Sequence, residues 1–189
     1  MDKLSSVSAG VISMMDAKTV CHLATEWAKA YNQKLYTALT QDTAYSTALF
    51  AIDRGGKKPR KDIVKWSDIE DYVSYFYDSL YARQREDTGI PAADQKAVLK
   101  AYLGVFDAGD DKDTWFNKIK ELCAPLGFCA DTKEYKASPE SYKGSVSDVS
   151  TVIRVAVTGR KNTPDLHAIM ALLGQETVKN RICEYIEEM

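Results

Sequence analysis

The 189-residue chain has no apolar run long enough to span a bilayer, and its first residues lack the cationic and apolar regions of a secretion signal. A soluble, cytoplasmic protein with no membrane partner is the expectation. Histidine is scarce: His22 and His167 are far apart in sequence, which argues against a hydrolytic triad. His167 reads as a surface residue. No P-loop, GxGxxG or strand–helix alternation is present from which to build a nucleotide-binding domain. The four cysteines, Cys21, Cys123, Cys129 and Cys183, fit no zinc-finger spacing and are expected as packed or surface thiols. The acidic turn Asp107 to Asp111 lacks the ligand spacing of a calcium loop. No metal is expected. Repeats, sustained heptads and low-complexity tracts are also missing. Nor is there an excess of positive charge: 25 Lys+Arg stand against 27 Asp+Glu, a formal net charge of -2. A nucleic-acid partner would have to be met by local clusters of cations, because a groove feels nearby charge more than the total.

What is present is helical periodicity, clearest in the last third. Val149, Val152, Ile153, Ala156 and Val157 recur at three- and four-residue spacings and share one face. Gly159 stops that helix, since glycine enters the left-handed conformation without steric cost. Thr163 is then expected to cap a second helix, with Pro164 at its first position, where no N–H is needed. Leu166, Ile169, Met170, Leu172 and Leu173 make its apolar face, Gly174 ends it, and Val178, Ile182, Tyr185 and Ile186 pattern a third. Earlier in the chain, Asp16 is expected to cap a helix with Val20, Leu23, Ala24, Trp27, Ala28 and Tyr31 on one side, and Asp42 another that is broken at Gly55-Gly56. Pro91 starts a helix through Val98, Leu99, Tyr102 and Phe106, and Trp115 to Leu126 form one more. Met1 to Met15 is serine-rich and weakly patterned, residues 82 to 88 read as a link, and Asp131 to Lys143 as a loop.

The densest basic stretch is Arg54-Gly55-Gly56-Lys57-Lys58-Pro59-Arg60-Lys61-Asp62. Pro59 disfavours helix at Lys58, so these cations belong on an exposed turn between helices, within reach of phosphates. A solvated loop is the plainer reading of any charge run. Among the aromatics that follow, Tyr72 and Phe76 share helical spacing with Ile69 and Val73, which favours core over a base-stacking platform.

The wording of these stretches resembles bacterial glutamyl-tRNA synthetases, in the all-helical C-terminal region that grips the tRNA anticodon. The residues that carry the resemblance are Arg154, Ala156-Val157-Thr158-Gly159, Thr163-Pro164-Asp165-Leu166, Leu172-Leu173-Gly174 and Arg181, together with Pro59-Arg60, Asp62 and Trp66. Met1-Asp2-Lys3-Leu4 resembles the segment shortly after the family's KMSKS loop. The resemblance covers essentially the whole chain. It implies an all-α fold of two packed helical subdomains, residues 1–85 (the end of the stem-contact region and the first anticodon-binding subdomain) and 86–189. Arg60 and Arg154 would line a concave surface. It also implies that Arg60 reads the third anticodon base, that Arg154 stacks on or bonds a base, and that Thr163, Pro164 and Leu166 present a hydroxyl and an apolar surface at a helix N-terminus. Lys57, Lys58 and Lys61 are backbone contacts proposed from charge alone. Asp131 to Lys143 is longer than the family's lysine- and glycine-containing approach. Cys123-Ala124-Pro125-Leu126 stands where other members place a basic contact.

Aminoacylation by this family needs an ATP site with HIGH- and KMSKS-like sequences, and neither occurs. ATP and magnesium would belong to the parent's catalytic domain; no cofactor is expected in this chain. The expected partners are the tRNA(Glu) anticodon loop and that catalytic domain, with the chain itself a monomer and inactive alone. The competing reading is a free-standing helical tRNA- or protein-interaction module.

Overall fold

Short polar side chains placed one residue ahead of each apolar pattern decide where most of the helices begin. The computed structural model describes residues 3–189; Met1 and Asp2, half of the Met1-Asp2-Lys3-Leu4 resemblance, lie outside them. The chain divides into two units, Met1–Ala82 and Arg83–Met189.

The first unit holds α1 (Lys3–Met14), α2 (Ala17–Tyr31), α3 (Gln33–Gln41), α4 (Thr43–Ala51) and the short α5 (Ile69–Val73). Asp16 starts α2 by accepting the Thr19 N–H at 2.8 Å, which satisfies a donor that has no partner within the helix. Asn32 closes α2 and opens α3, accepting from Leu35 N–H at 3.0 Å. Asp42 does the same between α3 and α4, accepting from Tyr45 N–H at 2.9 Å. One capping residue therefore replaces each loop, and α3 and α4 both fold back against α2. Helix α3 is not among the helices expected from apolar spacing. Its apolar residues Leu35, Ala38 and Leu39 are buried, but a nine-residue helix gives a short periodic signal. Tyr31 also departs from expectation: at 75% exposed it is off the core, which α2 builds from Val20, Cys21, Ala24 and Ala28. Leu49, Phe50, Ile69, Val73, Tyr75 and Phe76 complete that core.

The second unit holds α6 (Ala92–Leu103), α7 (Lys112–Leu126), α8 (Thr132–Ala137), α9 (Val146–Thr158), α10 (Leu166–Leu173) and α11 (Gln175–Glu188). Its core is α9, buried on most of its circumference and packed by α6, α7 and α11. Val98, Leu99, Ile119, Cys123, Val152, Ile153, Val178 and Ile182 are among its fully enclosed members. The polar atoms buried with them are paired: Trp115 Nε1 donates to Tyr102 Oη at 2.8 Å, and that hydroxyl donates to Met170 Sδ at 3.5 Å. Burial pushes the Cys123 thiol up to about 11, which leaves it inert as a nucleophile. Helix α8 lies within the stretch expected as loop; Asp131 caps it from both Lys133 and Glu134 N–H. Helix α9 carries a full capping box, with Asp148 Oδ2 accepting the Ser145 N–H at 2.7 Å. Among the described residues the fold is all-α, with a single isolated β-bridge, between Cys129 and Ser145.

Two glycines predict opposite responses to alanine. Gly159 ends α9 at φ 81°, and a Cβ there would collide with the carbonyl oxygen of Gln84. Gly10 sits inside α1 with nothing within 4 Å of a Cβ. Gly159→Ala is expected to cost about 1–2 kcal/mol from the backbone conformation alone, with displacement of Gln84 added. Gly10→Ala is expected to gain up to about 1 kcal/mol in the isolated chain. Chemical denaturation of both variants checks this; a G159A protein as stable as its parent would contradict the close approach.

Candidate nucleic-acid interface

The turn after α9 is held from several directions at once. Thr158 Oγ1 donates to Arg154 O at 2.8 Å and accepts the Arg160 N–H at 3.2 Å. Arg181, only 4% exposed, donates from Nη1 to Val157 O at 3.0 Å, satisfying a carbonyl at the end of α9. Glu86 binds the turn twice: its N–H donates to Gly159 O at 2.8 Å and its Oε2 accepts the Lys161 N–H at 2.6 Å. The segment carrying Glu86 is itself fixed along α11. Arg83 pairs with Glu184 at 3.1 Å, and Arg85 pairs with Glu188 while lying 4.3 Å over the Tyr185 ring. What this leaves outward is Lys161 and Asn162, with Arg160 half-buried.

Arg154, Thr163 and Pro164 come together on the inner side of the same loop. Arg154 Nη1 donates to Thr163 Oγ1 and to Pro164 O, the latter at 3.0 Å, and Thr163 Oγ1 donates to Pro164 O at 2.9 Å. Two expectations change. Thr163 does not cap α10: Asp165 does, accepting the Ala168 N–H at 2.9 Å, and Pro164 precedes the cap instead of opening the helix. Thr163, Pro164 and Leu166 are buried, so they do not present a hydroxyl and an apolar surface outward; the Thr163 hydroxyl is spent inside the loop. Asp165 also pairs with Lys112. Burial works to raise its carboxyl's pKa, but the Lys112 ammonium and the Ala168 N–H outweigh it and hold the group below its ordinary value.

The basic turn of the first unit is exposed as expected at Lys57, Lys58 and Lys61. Arg60 is half-buried and meets Asp62 through both oxygens, Nε at 2.6 Å and Nη2 at 3.0 Å. That bidentate pairing raises the guanidinium pKa and fixes its plane. The cleft beside it, lined by Ile12, Ile52, Pro59, Ile63 and Tyr72, has room for a water molecule and not for a base. Arg54 proves structural: Nη1 donates to Ile12 O and Met15 O, and Nε to Phe50 O, tying α1 to α4. The nearby aromatics are packed inward, with Tyr75, Phe76 and Tyr77 at most 9% exposed. The outward place of Lys161 was not legible in the sequence, because it depends on Glu86, 75 residues away.

The comparisons with known proteins bear on both turns. Residues 132–186 match the family model described as an anticodon binding domain. The glutamate–tRNA ligase of Clostridium perfringens strain 13 is 41% identical over 185 residues, 95% of this chain and 34% of that protein. The ligase of Sorangium cellulosum is 40% identical over 189 residues, 98% of this chain and 33% of that protein. The chain is a homologue of the C-terminal, anticodon-binding region of glutamate–tRNA ligases. It spans about a third of the length of the ligases it matches. No helix among the described residues is long and apolar enough to cross a membrane.

The loop that leads into α10 gives a pH prediction through Asp165. Its folded pKa lies below the unfolded value, so its contribution is complete above about pH 4 and is lost as pH falls through the folded value. Asparagine caps as well as aspartate does but carries no charge. The stability gap between the parent and Asp165→Asn should stay constant from about pH 7 to 5 and close below about pH 4, as read from urea midpoints; a gap that widens in acid would reject the Lys112–Asp165 account.

Proposed function

We propose that this chain binds the anticodon loop of tRNA(Glu), as the RNA-reading part of a glutamate–tRNA ligase. The observation that carries the reading is the anticodon-binding match over residues 132–186, within a chain about 40% identical to such ligases along nearly its whole length. The exposed cations Lys57, Lys58, Lys61 and Lys161 supply phosphate contacts in this reading, and Arg60 and Arg154 the base contacts. Single-stranded loops are read by splaying bases apart and pairing their Watson–Crick edges. ATP, magnesium and the transfer of glutamate to tRNA belong, in this reading, to the two thirds of the ligase that the chain does not span. The chain acts as a monomer and forms no glutamyl-adenylate by itself.

The base assigned to Arg60 follows from donor and acceptor counts. Glutamate and glutamine anticodons differ at their third base, C in one and G in the other. Cytosine offers O2 and N3 as acceptors, which a donor-only guanidinium satisfies. Guanine offers O6 but otherwise aims N–H donors at it. The Asp62 carboxylate supports this role by holding the Arg60 plane in one orientation before RNA arrives.

Arg60→Gln is the test, because glutamine presents either a donor or an acceptor. Two stem-loops differing only at that base are titrated against both proteins. The parent should prefer C by about one to two decades, the value of a bidentate base contact of about 1–3 kcal/mol, and the variant should narrow that ratio more than it lowers overall affinity. An unchanged ratio would assign Arg60 to the phosphate backbone.

A further inference from the structure

Helix α1 is apolar on two sides. One side, with Ala9, Ile12 and Ser13, is buried in the first unit, pinned by Arg54 on the Ile12 and Met15 carbonyls and by Ser8 Oγ donating to Val64 O at 2.5 Å. On another side Leu4, Val7, Val11 and Met14 are 79%, 57%, 55% and 77% exposed. With 3.6 residues per turn these four fall within about 80° of arc, a single stripe. Lys3 is the only charge on the helix. Gly10 borders the stripe, with open space where a Cβ would stand. A glycine inside a helix is a liability relative to alanine, and close packing by a second surface is a common reason to keep one. Single exposed apolar residues need no explanation, but a helix apolar on opposite sides is one that lies between two bodies.

We propose that the Leu4–Val7–Val11–Met14 stripe is the docking face for the body of the ligase, the two thirds of the relatives that this chain does not span. The inference rests on the reading of the chain as the ligase's RNA-binding part. The match is to the C-terminal region of the relatives and covers 34% of the Clostridium perfringens protein, so their remaining body lies on the N-terminal side, where α1 stands. Area argues against a second copy as the occupant. A helix of twelve residues is about 18 Å long and about 10 Å wide. One such face is far below the about 800 Å² per partner of a stable interface. It suits a surface whose docking partner is tethered to it, where little area suffices.

The test uses Val7→Glu/Val11→Glu in two settings, the isolated chain and a chimera in which the chain replaces the C-terminal third of the Clostridium perfringens ligase. In the isolated chain the stripe is more than half exposed, so the double variant should keep its unfolding midpoint and lose the binding of an apolar fluorescent dye. In the chimera the parental stripe should bind no dye, and the double variant should lower the midpoint by about 5 °C or more and restore dye binding. An unchanged chimera midpoint, or parental dye binding as strong as in the isolated chain, overturns the proposal. The same pair of substitutions at the aligned positions of the intact Clostridium perfringens ligase gives the same readout should the chimera not assemble. Sedimentation of the isolated chain as a dimer that the double variant splits would assign the face to a second copy and also overturn it. Stem-loop binding by the isolated parental chain is scored separately, so a failure of the RNA reading shows there and a failure of docking shows in the midpoints.

Discussion

The second unit depends on one close approach, the Gln84 carbonyl resting on the α-carbon of Gly159. No other side chain leaves that space open, and no other residue adopts φ 81° there at so little cost. Once residues 83–86 lie in this position, Glu86 meets both Gly159 O and Lys161 N–H, and Arg85 reaches Glu188 and Tyr185. The turn thereby becomes a fixed platform instead of a mobile loop. Arg181 donates to the Val157 carbonyl ahead of the turn and Arg154 to the Pro164 carbonyl after it.

Three of the seven arginines organise backbone, and three others pair with carboxylates. Arg54, Arg154 and Arg181 all donate to main-chain carbonyls, a use that suits a planar group with several fixed donors. On the two basic turns the exposed cations are lysines, Lys57, Lys58, Lys61 and Lys161, while Arg60 and Arg160 are half-buried. Preorganisation follows: Arg60 is oriented by Asp62, and the 159–162 turn by Glu86, before any ligand is met.

Much of the fold was legible because it is local. Asp16, Asp42, Gly159 and the apolar spacing of α9 act through residues three or four positions away, and each does what its position indicated. What escaped depended on partners distant in sequence or on elements too short to show a period. Helix α3 has nine residues and α8 six. Thr163 and Asp165 are both good caps, and the choice between them was made by Arg154, which takes the Thr163 hydroxyl. Thr163, Pro164 and Leu166 were singled out through family wording; their inward orientation came only from the structure, since a motif records which residues recur and not whether they touch the ligand or hold the loop. Leu4, Val7, Val11 and Met14 gave no signal until the packing around α1 was visible.

The central claim, that these preorganised turns meet the backbone of a tRNA anticodon loop, is tested most directly by fluorescence anisotropy of a labelled tRNA(Glu) anticodon stem-loop, titrated with the chain at several salt concentrations. Each phosphate neutralised in a single strand contributes a slope of about -0.7 to log affinity against log salt. The account predicts a linear fall with the slope of several phosphates, made shallower by removing Lys57, Lys58 or Lys161. An affinity indifferent to salt, or no binding at low salt, would contradict it.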